Sequence, residues 1–297
     1  MTGLGNLVCR NTKLFFKDHG MLISSLITPI IMLVLYATFL ANVYHDSFVS
    51  SIDGAIEVSE KLIDATVGGE LFSSLLAVSC VTVSFCCNMI MVRDKVTGAR
   101  RDLTVTPVKR STMALSYYIS TLFSTIVVSL IAMGACLLYL ANTGWYLSVT
   151  DILLIVLDVF LLTMFGTALS SIINSFLTTE GQIAAVSTTV SAGYGFICGA
   201  YMPISQFGSG LQKVLSFLPG TYGTSLIRNH AMRGVFAEMR RTGFPAEVVE
   251  AIRDSIDCNL YFFGTKVTNG MMLLVMCVTV AVLVALYVLI HLLKKEI

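Results

Sequence analysis

The residues that could carry ion or proton chemistry are few, and Asp158 is the clearest of them. It is the one carboxylate that lies well inside an apolar segment. An acid within a membrane is by default a candidate functional group, because burying its charge there is costly. At about 1.5 Å per residue, however, it lies only about 10 Å from the nearer end of its predicted helix. A structural pair with a hydroxyl group, or a place beside a water-lined groove, is therefore favoured over an ion relay.

The remaining reactive side chains form no recognisable site. The four histidines are scattered and predict no metal cluster, and His230 stands alone as a predicted surface residue. The sequence has no G-x-x-x-x-G-K-[ST] phosphate loop and no C-x-x-C pair. Most of the eight cysteines lie in apolar runs, where Cys behaves as a small hydrophobe. The chain is therefore predicted not to be an enzyme and to bind no metal or cofactor itself.

The amino-acid composition indicates the type of fold that positions these side chains. Of 297 residues, 56% are hydrophobic and only 12% are charged, with a mean hydropathy of +0.82. Soluble domains are about 45–50% apolar and about 25% charged. The 19 Lys and Arg residues nearly balance the 18 Asp and Glu residues, which excludes the basic surface that nucleic acid requires. The sequence predicts an all-α polytopic membrane protein.

Six apolar stretches are long enough to cross a bilayer, since a core of about 30 Å needs about 20 helical residues. We treat residues 1–297 as one transmembrane domain built on these six predicted spans. The spans are Met21–Val43, Leu71–Val92, Met113–Leu140, Ile152–Phe176, Gln182–Met202 and Met271–Leu293.

Short-loop charge predicts the orientation. Basic residues precede the first span, follow the last one at Lys294 and Lys295, and fill the loop 93–110. Both termini and that loop are therefore predicted to be cytoplasmic. Residues 1–20 alternate apolar and basic side chains, which is typical of a helix lying in the membrane interface, although a simple basic anchor is equally compatible.

The segment 203–270 is predicted to be an extracytoplasmic cap containing two short helices. The first presents one apolar face, begins at Ser209 as its cap and stops at Pro219. The second carries Pro245 in its first turn. The apolar face of the first helix consists of Leu211, Val214, Leu215 and Leu218, and that of the second of Val248, Val249, Ile252 and Ile256.

The loop 93–110 contains a narrow apolar stripe among its charges. If it is one helix, Val96, Ala99 and Leu103 share a face, and Pro107 ends the helix. An ordinary positive-inside loop is the alternative, but an apolar stripe facing the cytosol needs a partner to cover it. In the fifth span, Gly195 and Gly199 form a G-x-x-x-G pattern, which allows close helix packing within the chain or against a second copy.

These two regions resemble the ABC type-2 transporter permeases. The loop matches the pattern R-x-x-x-x-G-x-x-x-x-L-x-x-T-P-V-x-R between the second and third of six spans. A second similarity runs from Gly199-Ala-Tyr-Met-Pro203 through Leu218-Pro219-Gly220-Thr-Tyr222 to Leu226-Ile-Arg228. The matched loop residues are Arg93, Gly98, Leu103, Thr106, Pro107, Val108 and Arg110.

The resemblance implies the membrane half of an ATP-driven exporter in the plasma membrane. ATP and magnesium would bind a separate nucleotide-binding ATPase subunit, and a second permease chain, identical or different, would complete the transporter within membrane lipid. Coupling to the ATPase would use Arg93, Val96, Gly98, Arg100, Arg101, Leu103 and Pro107. A substrate cavity between the chains would be lined by Ser79, Phe85, Asn88, Thr188, Thr189 and Tyr194. The outer gate would consist of Leu211, Val214, Leu215 and Leu218.

The scarcity of charge within the spans favours an apolar or amphipathic substrate, such as a drug, peptide or lipid, and hence a role of the multidrug-efflux kind. Two other classes compete. An ion-coupled secondary transporter would use Asp158, but it would favour several facing acids or a broken mid-membrane helix, and neither is evident. A membrane scaffold or sensor would favour an attached signalling domain, and the sequence shows none.

Overall fold

A computed structural model of the chain describes residues 2–35, 38 and 59–293. Two predictions therefore fall wholly or partly outside the described residues. They are the end of the first span at Val43, and the terminal cations Lys294 and Lys295.

The described residues are almost entirely helical, as the sequence predicts. One short 3-10 turn, Ile204–Gln206, and one hairpin of two antiparallel strands interrupt the helices. The strands are β1 (Leu260–Phe262) and β2 (Thr265–Val267), with Tyr261 opposite Lys266. The helices are α1 (Thr2–Lys17), α2 (His19–Leu35), α3 (Glu60–Cys87), α4 (Met89–Val96), α5 (Ala99–Val105), α6 (Arg110–Thr143), α7 (Val149–Phe176), α8 (Glu180–Ile197), α9 (Ser209–Leu215), α10 (Pro219–Arg241), α11 (Ala246–Ser255) and α12 (Asn269–Leu293).

Four described helices are long and apolar enough to cross a membrane: the α3–α4 unit of 37 residues, α6, α7 and α12. A fifth is present if α1 and α2, which meet at a bend of 72°, count as one broken span. The protein is thus an all-α multi-pass membrane protein. The predicted fifth span, 182–202, corresponds to the shorter α8, which is not among these helices, so the count of six stays a prediction.

Helix α3 is the axis of the bundle, and it begins at Glu60 rather than near Leu71 as predicted. It packs against α2, α6, α7, α8 and α10. In its most apolar stretch, 89% of the residues are buried, against 17% for α12. Helix α3 is therefore surrounded by protein, whereas α12 leaves most of its apolar surface for lipid.

The two ends of the bundle differ. The loop end carries α4, α5 and the start of α6, and the cap end carries residues 203–268. Helix α10 runs antiparallel to α7: near its start, Gly223 approaches Leu162, and further along Gly234 lies against the Tyr146 carbonyl. Residues 204–219 therefore re-enter the bundle, and α10 then runs toward the cap end.

The predicted cap helices are present with different boundaries. Helix α9 ends at Leu215, and the residue at its N-cap position is Gly208, not Ser209. Pro219 does not stop this helix but begins α10, since a proline at the first helical position loses no hydrogen bond. Pro245 lies at the N-cap of α11, immediately before the predicted first turn, and of that helix's residues only Val249 is fully buried.

Candidate functional site

The predicted apolar stripe of the loop is split between two helices. Helix α4 ends at Val96, and Gly98 then adopts a left-handed backbone conformation with φ of +82° before α5 begins. The prediction that Val96, Ala99 and Leu103 share one helical face was therefore wrong, because the break redirects the chain. Pro107 does follow the end of α5 as predicted, and α6 begins at Arg110.

The apolar side chains of this loop lie in different surroundings. Leu103 packs partly against a buried cluster that includes Phe15 and Met113. Val96 is 44% exposed, and Val105 at the end of α5 is 88% exposed, more than any other large apolar side chain in the described ranges. Val105 therefore forms an apolar tip that the sequence analysis did not select.

Two ion pairs fasten the interfacial helix α1 to the loop. Arg10 binds both carboxylate oxygens of Asp94 at 2.7 and 3.1 Å, and the Tyr117 hydroxyl donates to the same carboxylate at 2.6 Å. Arg93 pairs with Asp18 at the bend between α1 and α2. The Arg93 guanidinium lowers the pKa of Asp18, and Asp94 raises the pKa of Arg10. Arg93, predicted to face a partner, thus also fixes this bend.

Lys95 anchors the other side of the loop. Its ammonium group donates to the carbonyls of Asn174, Ser175 and Leu177 at 2.8–3.0 Å. A cation there satisfies carbonyls that the last turn of α7 leaves unpaired, and it complements the helix dipole. Helix α4 is thereby tied to two separate parts of the bundle.

Gly98 gives the first test of this geometry. We expect Gly98→Val to redirect α5, because a β-branched residue in the left-handed region is strained by roughly 1–2 kcal/mol. No neighbouring atom lies where a Cβ would be, so the strain is in the backbone alone. Partner-dependent ATPase activity should fall several-fold. Gly98→Asn, which tolerates this conformation, should keep most of the activity, and equal activities for the two variants would contradict the role of Gly98 in directing α5.

The six predicted cavity residues do not share one open surface. Ser79, Phe85, Asn88 and Tyr194 are buried inside the bundle, whereas Thr188 and Thr189 lie on an exposed side of α8. The reason is a polar seam between α3 and α7. The Asn88 amide donates to the hydroxyls of Ser170 and Ser171 at 3.1 and 3.0 Å, so it is already engaged within the chain.

The G-x-x-x-G pattern of α8 also serves packing within the chain. A Cβ on Gly195 would lie about 2.3–2.5 Å from the ring of Tyr201, which folds back over the helix. The Tyr201 hydroxyl donates to the Ser191 carbonyl at 3.2 Å. Gly199 lies beyond the helix end with φ of +73°. Within the chain, these glycines therefore allow a close turn at the end of α8.

Asp158 has a hydrogen-bonding partner that the sequence analysis missed. A carboxylate oxygen lies 2.5 Å from Nδ1 of His230 on α10, and the His230 side chain is only 13% exposed. The prediction of a surface histidine was wrong. The other carboxylate oxygen of Asp158 has no hydrogen-bond partner among the described residues. Nearer the cap end, Arg233 pairs with Asp151 at 3.2 Å.

A second polar cluster surrounds Arg228, whose side chain is 1% exposed. The guanidinium donates to the Ser74 hydroxyl at 2.8 Å, the Gly199 carbonyl at 3.0 Å and the Ile256 carbonyl at 2.6 Å. It also lies 4.0 Å from Asp257. This side chain therefore joins α3, α10, the end of α8 and the cap.

Two carboxylates accompany Arg228. Glu70, which the sequence analysis placed outside the spans, is buried within α3 near this cation. Asp257 accepts backbone N–H bonds from Ile204 and Ser205, yet burial raises its pKa above the ordinary value. The re-entrant turn is thus held by charged groups rather than by apolar packing alone.

The sequence profile of the ABC-2 type transporter family matches residues 2–231. The chain belongs to this family. No curated protein and no solved structure shows significant similarity to the chain. The match covers α1 to α9 and the first half of α10, including the whole of the loop end.

Membership in the ABC-2 type transporter family makes the chain the membrane permease part of an ABC transporter, a transport component without catalytic chemistry of its own. Permeases of this family normally work with an ATPase subunit.

The predicted gate residues of this ABC-2 permease also divide. Leu215 is buried and Leu218 packs partly against the core, whereas Leu211 and Val214 are 46% and 59% exposed. Helix α9 borders a cap-end cavity of about 560 Å³, with Gln212, Tyr222 and Asp254 in its walls. Only Leu215 and Leu218 therefore face the interior of the bundle.

Proposed function

We propose that the chain is the transmembrane subunit of an ABC exporter that moves an apolar or amphipathic substrate outward with ATP hydrolysed by a separate subunit. The observation that carries this proposal is the α4–α5 unit, which ends in an exposed apolar tip and is fixed by Arg10–Asp94, Arg93–Asp18 and Lys95. ATP and magnesium would be held by the ATPase subunit.

The coupling works through differential binding. Two ATPase subunits that close around ATP must bind one arrangement of the permeases better than the other, and that difference drives the change. Because α4 is joined to α1 and α7 by ionic and carbonyl contacts, it moves with them as a rigid body and carries α5 with it. We assign Gly98 and Pro107 to the shape of the loop, Arg100 and Arg101 to contacts with the partner, and Leu103 to its anchorage.

We propose that two permease chains, identical or different, face each other across the exposed side of α8. Thr188 and Thr189 lie there, as do Phe196 and Ile197, which are 50% and 42% exposed. This mixture of apolar and hydroxyl groups suits an amphipathic substrate. Ser79, Phe85, Asn88 and Tyr194 would reach such a cavity only after the helices separate.

In this proposal the loop end and both termini face the cytosol of a cell whose plasma membrane holds the transporter, and 203–270 form the extracytoplasmic cap. The positive-inside distribution supports the orientation. Leu215 and Leu218 would close the exit, because they alone of the four gate leucine and valine residues face inward.

The test is a mild-detergent purification of the tagged chain from its native host, with co-purifying proteins identified by mass spectrometry. We expect a stoichiometric partner that carries a phosphate-binding loop, and vanadate-sensitive ATPase activity that increases when the complex is reconstituted. A chain that purifies alone and transports in vesicles without ATP would overturn the proposal.

An ion-coupled transporter is the second candidate, and the buried Asp158–His230 pair is the observation that favours it. In an ABC exporter, Asp158→Asn should reduce transport only modestly, because the neutral amide still bonds to His230. Transport should be measured with and without a proton or sodium gradient, using Asp64→Asn, an exposed position on α3, as the matched control. Complete loss in the Asp158 variant, with gradient dependence in the parent, would favour ion coupling.

A further inference from the structure

Three phenylalanine side chains form an exposed cluster at the cap end. Phe217 follows α9, Phe262 ends β1, and Phe263 begins the turn of the hairpin. The three rings meet edge-on, with centroids 4.9–5.8 Å apart. In spite of these mutual contacts, their exposed fractions are 61%, 37% and 63%. An exposed apolar surface of this kind indicates a contact with lipid or with another protein surface.

The turn of the hairpin carries its phenylalanine in an unfavourable conformation. The two turn residues, Phe263 and Gly264, have φ of +48° and +85°. Two positive φ values are typical of a type I′ turn, in which Asn or Asp is usual at the first position. A bulky side chain is strained there. A strained residue that is also exposed favours a functional role for its side chain.

The depth of the phenylalanine cluster follows from the start of α10. A Cβ on Gly223 would lie 3.3 Å from the Met276 side chain of α12, so these two residues are level with each other. Met276 is about 10 Å along α12 from its first residue, at about 1.5 Å per residue. The Tyr222 hydroxyl donates to the Ser216 carbonyl at 2.5 Å and holds the chain next to Phe217 against the same part of α10. Phe217 therefore lies at the depth of the apolar part of α12.

The hairpin extends toward the same depth. The segment before β1 lies beside the first half of α10, where the Ser225 hydroxyl donates to the Asp257 carbonyl at 2.8 Å. The Asn229 amide donates to the next carbonyl, that of Cys258, at 2.5 Å. From there the strands run to the ring of Phe217, which is nearer the start of α10. The turn of the hairpin is therefore directed toward the middle of the bundle and not away from it.

The base of the hairpin is polar, in contrast to its turn. The Tyr261 hydroxyl donates to Asp254 at 3.0 Å. Lys266, opposite Tyr261, pairs with Glu250. Charged and hydroxyl groups thus face α11, and the phenylalanine rings lie at the other end. Side chains divided in this way are typical of the boundary between lipid head groups and acyl chains.

The phenylalanine cluster is also continuous with a surface that faces lipid. Strand β2 ends at Val267, and α12 begins two residues later at Asn269. Helix α12 is the span that leaves most of its apolar surface for lipid, and Met271 and Leu274 in its first turns are both 56% exposed. Because the cluster adjoins this span in the chain and lies at its depth, lipid is favoured over a second protein chain as its partner.

We propose that the phenylalanine cluster inserts into the acyl region of the bilayer leaflet at the cap end. The partner is the lipid bilayer, which holds the hairpin and the turn after α9 from outside the bundle. This role goes beyond the proposed transport function and does not depend on it, since it follows only from the position of the cluster relative to the spans.

The test uses the full chain reconstituted in phosphatidylcholine vesicles. Tryptophan fluorescence is quenched either by lipids with brominated acyl chains or by iodide on both sides of the membrane. Trp145→Phe removes the one tryptophan of the sequence, and Phe263→Trp then provides the reporter. We expect brominated lipid to quench this reporter several-fold more strongly than iodide does. Phe217→Trp lies outside the strained turn and should give the same result, so the outcome does not depend on how the hairpin tolerates the change.

Two matched reporters calibrate the measurement. Leu274→Trp, on the exposed side of α12, reports contact with lipid, and Glu247→Trp, exposed in the first turn of α11, reports contact with water. Quenching of Phe263→Trp like that of the Glu247 reporter would place the cluster in water and overturn the proposal. A reporter shielded from both quenchers would show that protein covers the cluster, which would overturn it as well.

Discussion

Val105→Asp should lower partner-stimulated ATPase activity and coupled transport at least about tenfold while the permease itself stays folded. Val105 is 88% exposed at the end of α5, so it contributes little to the folded chain alone. If the tip enters an apolar groove of the ATPase, the variant buries an unpaired carboxylate there. Loss of a central interface residue typically costs more than about 1–2 kcal/mol, and 1.4 kcal/mol corresponds to tenfold in affinity.

The measurement is the affinity of the purified permease for its ATPase subunit, together with the coupled ATPase rate. Val149→Asp is the matched control, because Val149 is 75% exposed in the first turn of α7, where an acidic residue is tolerated. Leu103→Asp, in contrast, should also lower the thermal stability, since Leu103 packs against a buried cluster. A Val105 variant that binds and stimulates like the parent would remove α5 from the coupling contact.

The features found correctly from the sequence are those that local residues determine. Gly98 and Pro107 lie within ten residues of each other and flank α5. The long apolar runs predict α6, α7 and α12. The helix Glu60–Cys87 was placed too short because Glu70 resembles a loop residue in sequence. In the fold Glu70 lies near Arg228, which is far along the chain.

The missed parts of the site depend on such distant pairings. His230 lies 72 residues from Asp158, and Arg228 lies 154 from Ser74. No spacing rule predicts these contacts, because each requires α10 to return into the bundle from the re-entrant turn. A long helix with moderate hydropathy at 219–241, longer than a surface cap requires, was the one available signal. The sequence likewise does not show which way Asn88, at the end of α3, faces, because that depends on the position of α7.

Arg228→Ala should be the most destabilising single change considered for this chain. The side chain is 1% exposed and connects four separate segments through Ser74, Gly199 and Ile256. Removing one partner of a buried ionic cluster typically costs about 3–5 kcal/mol, because the remaining carboxylates and carbonyls stay buried without the cation. We expect the thermal midpoint in detergent to fall by about 10 °C and the cap to become sensitive to protease.

The control for this prediction is Arg241→Ala on the same helix, because that side chain is 78% exposed and pairs with Glu238 in the preceding turn. It should leave the thermal midpoint unchanged, since exposed pairs contribute little. Arg228→Lys should recover only part of the stability, because an ammonium group keeps the charge but cannot span Ser74, Gly199 and Ile256 at once. If Arg228→Ala unfolded at the temperature of the parent, the re-entrant turn would be held by apolar packing, and the charged cluster would be open for a role in transport.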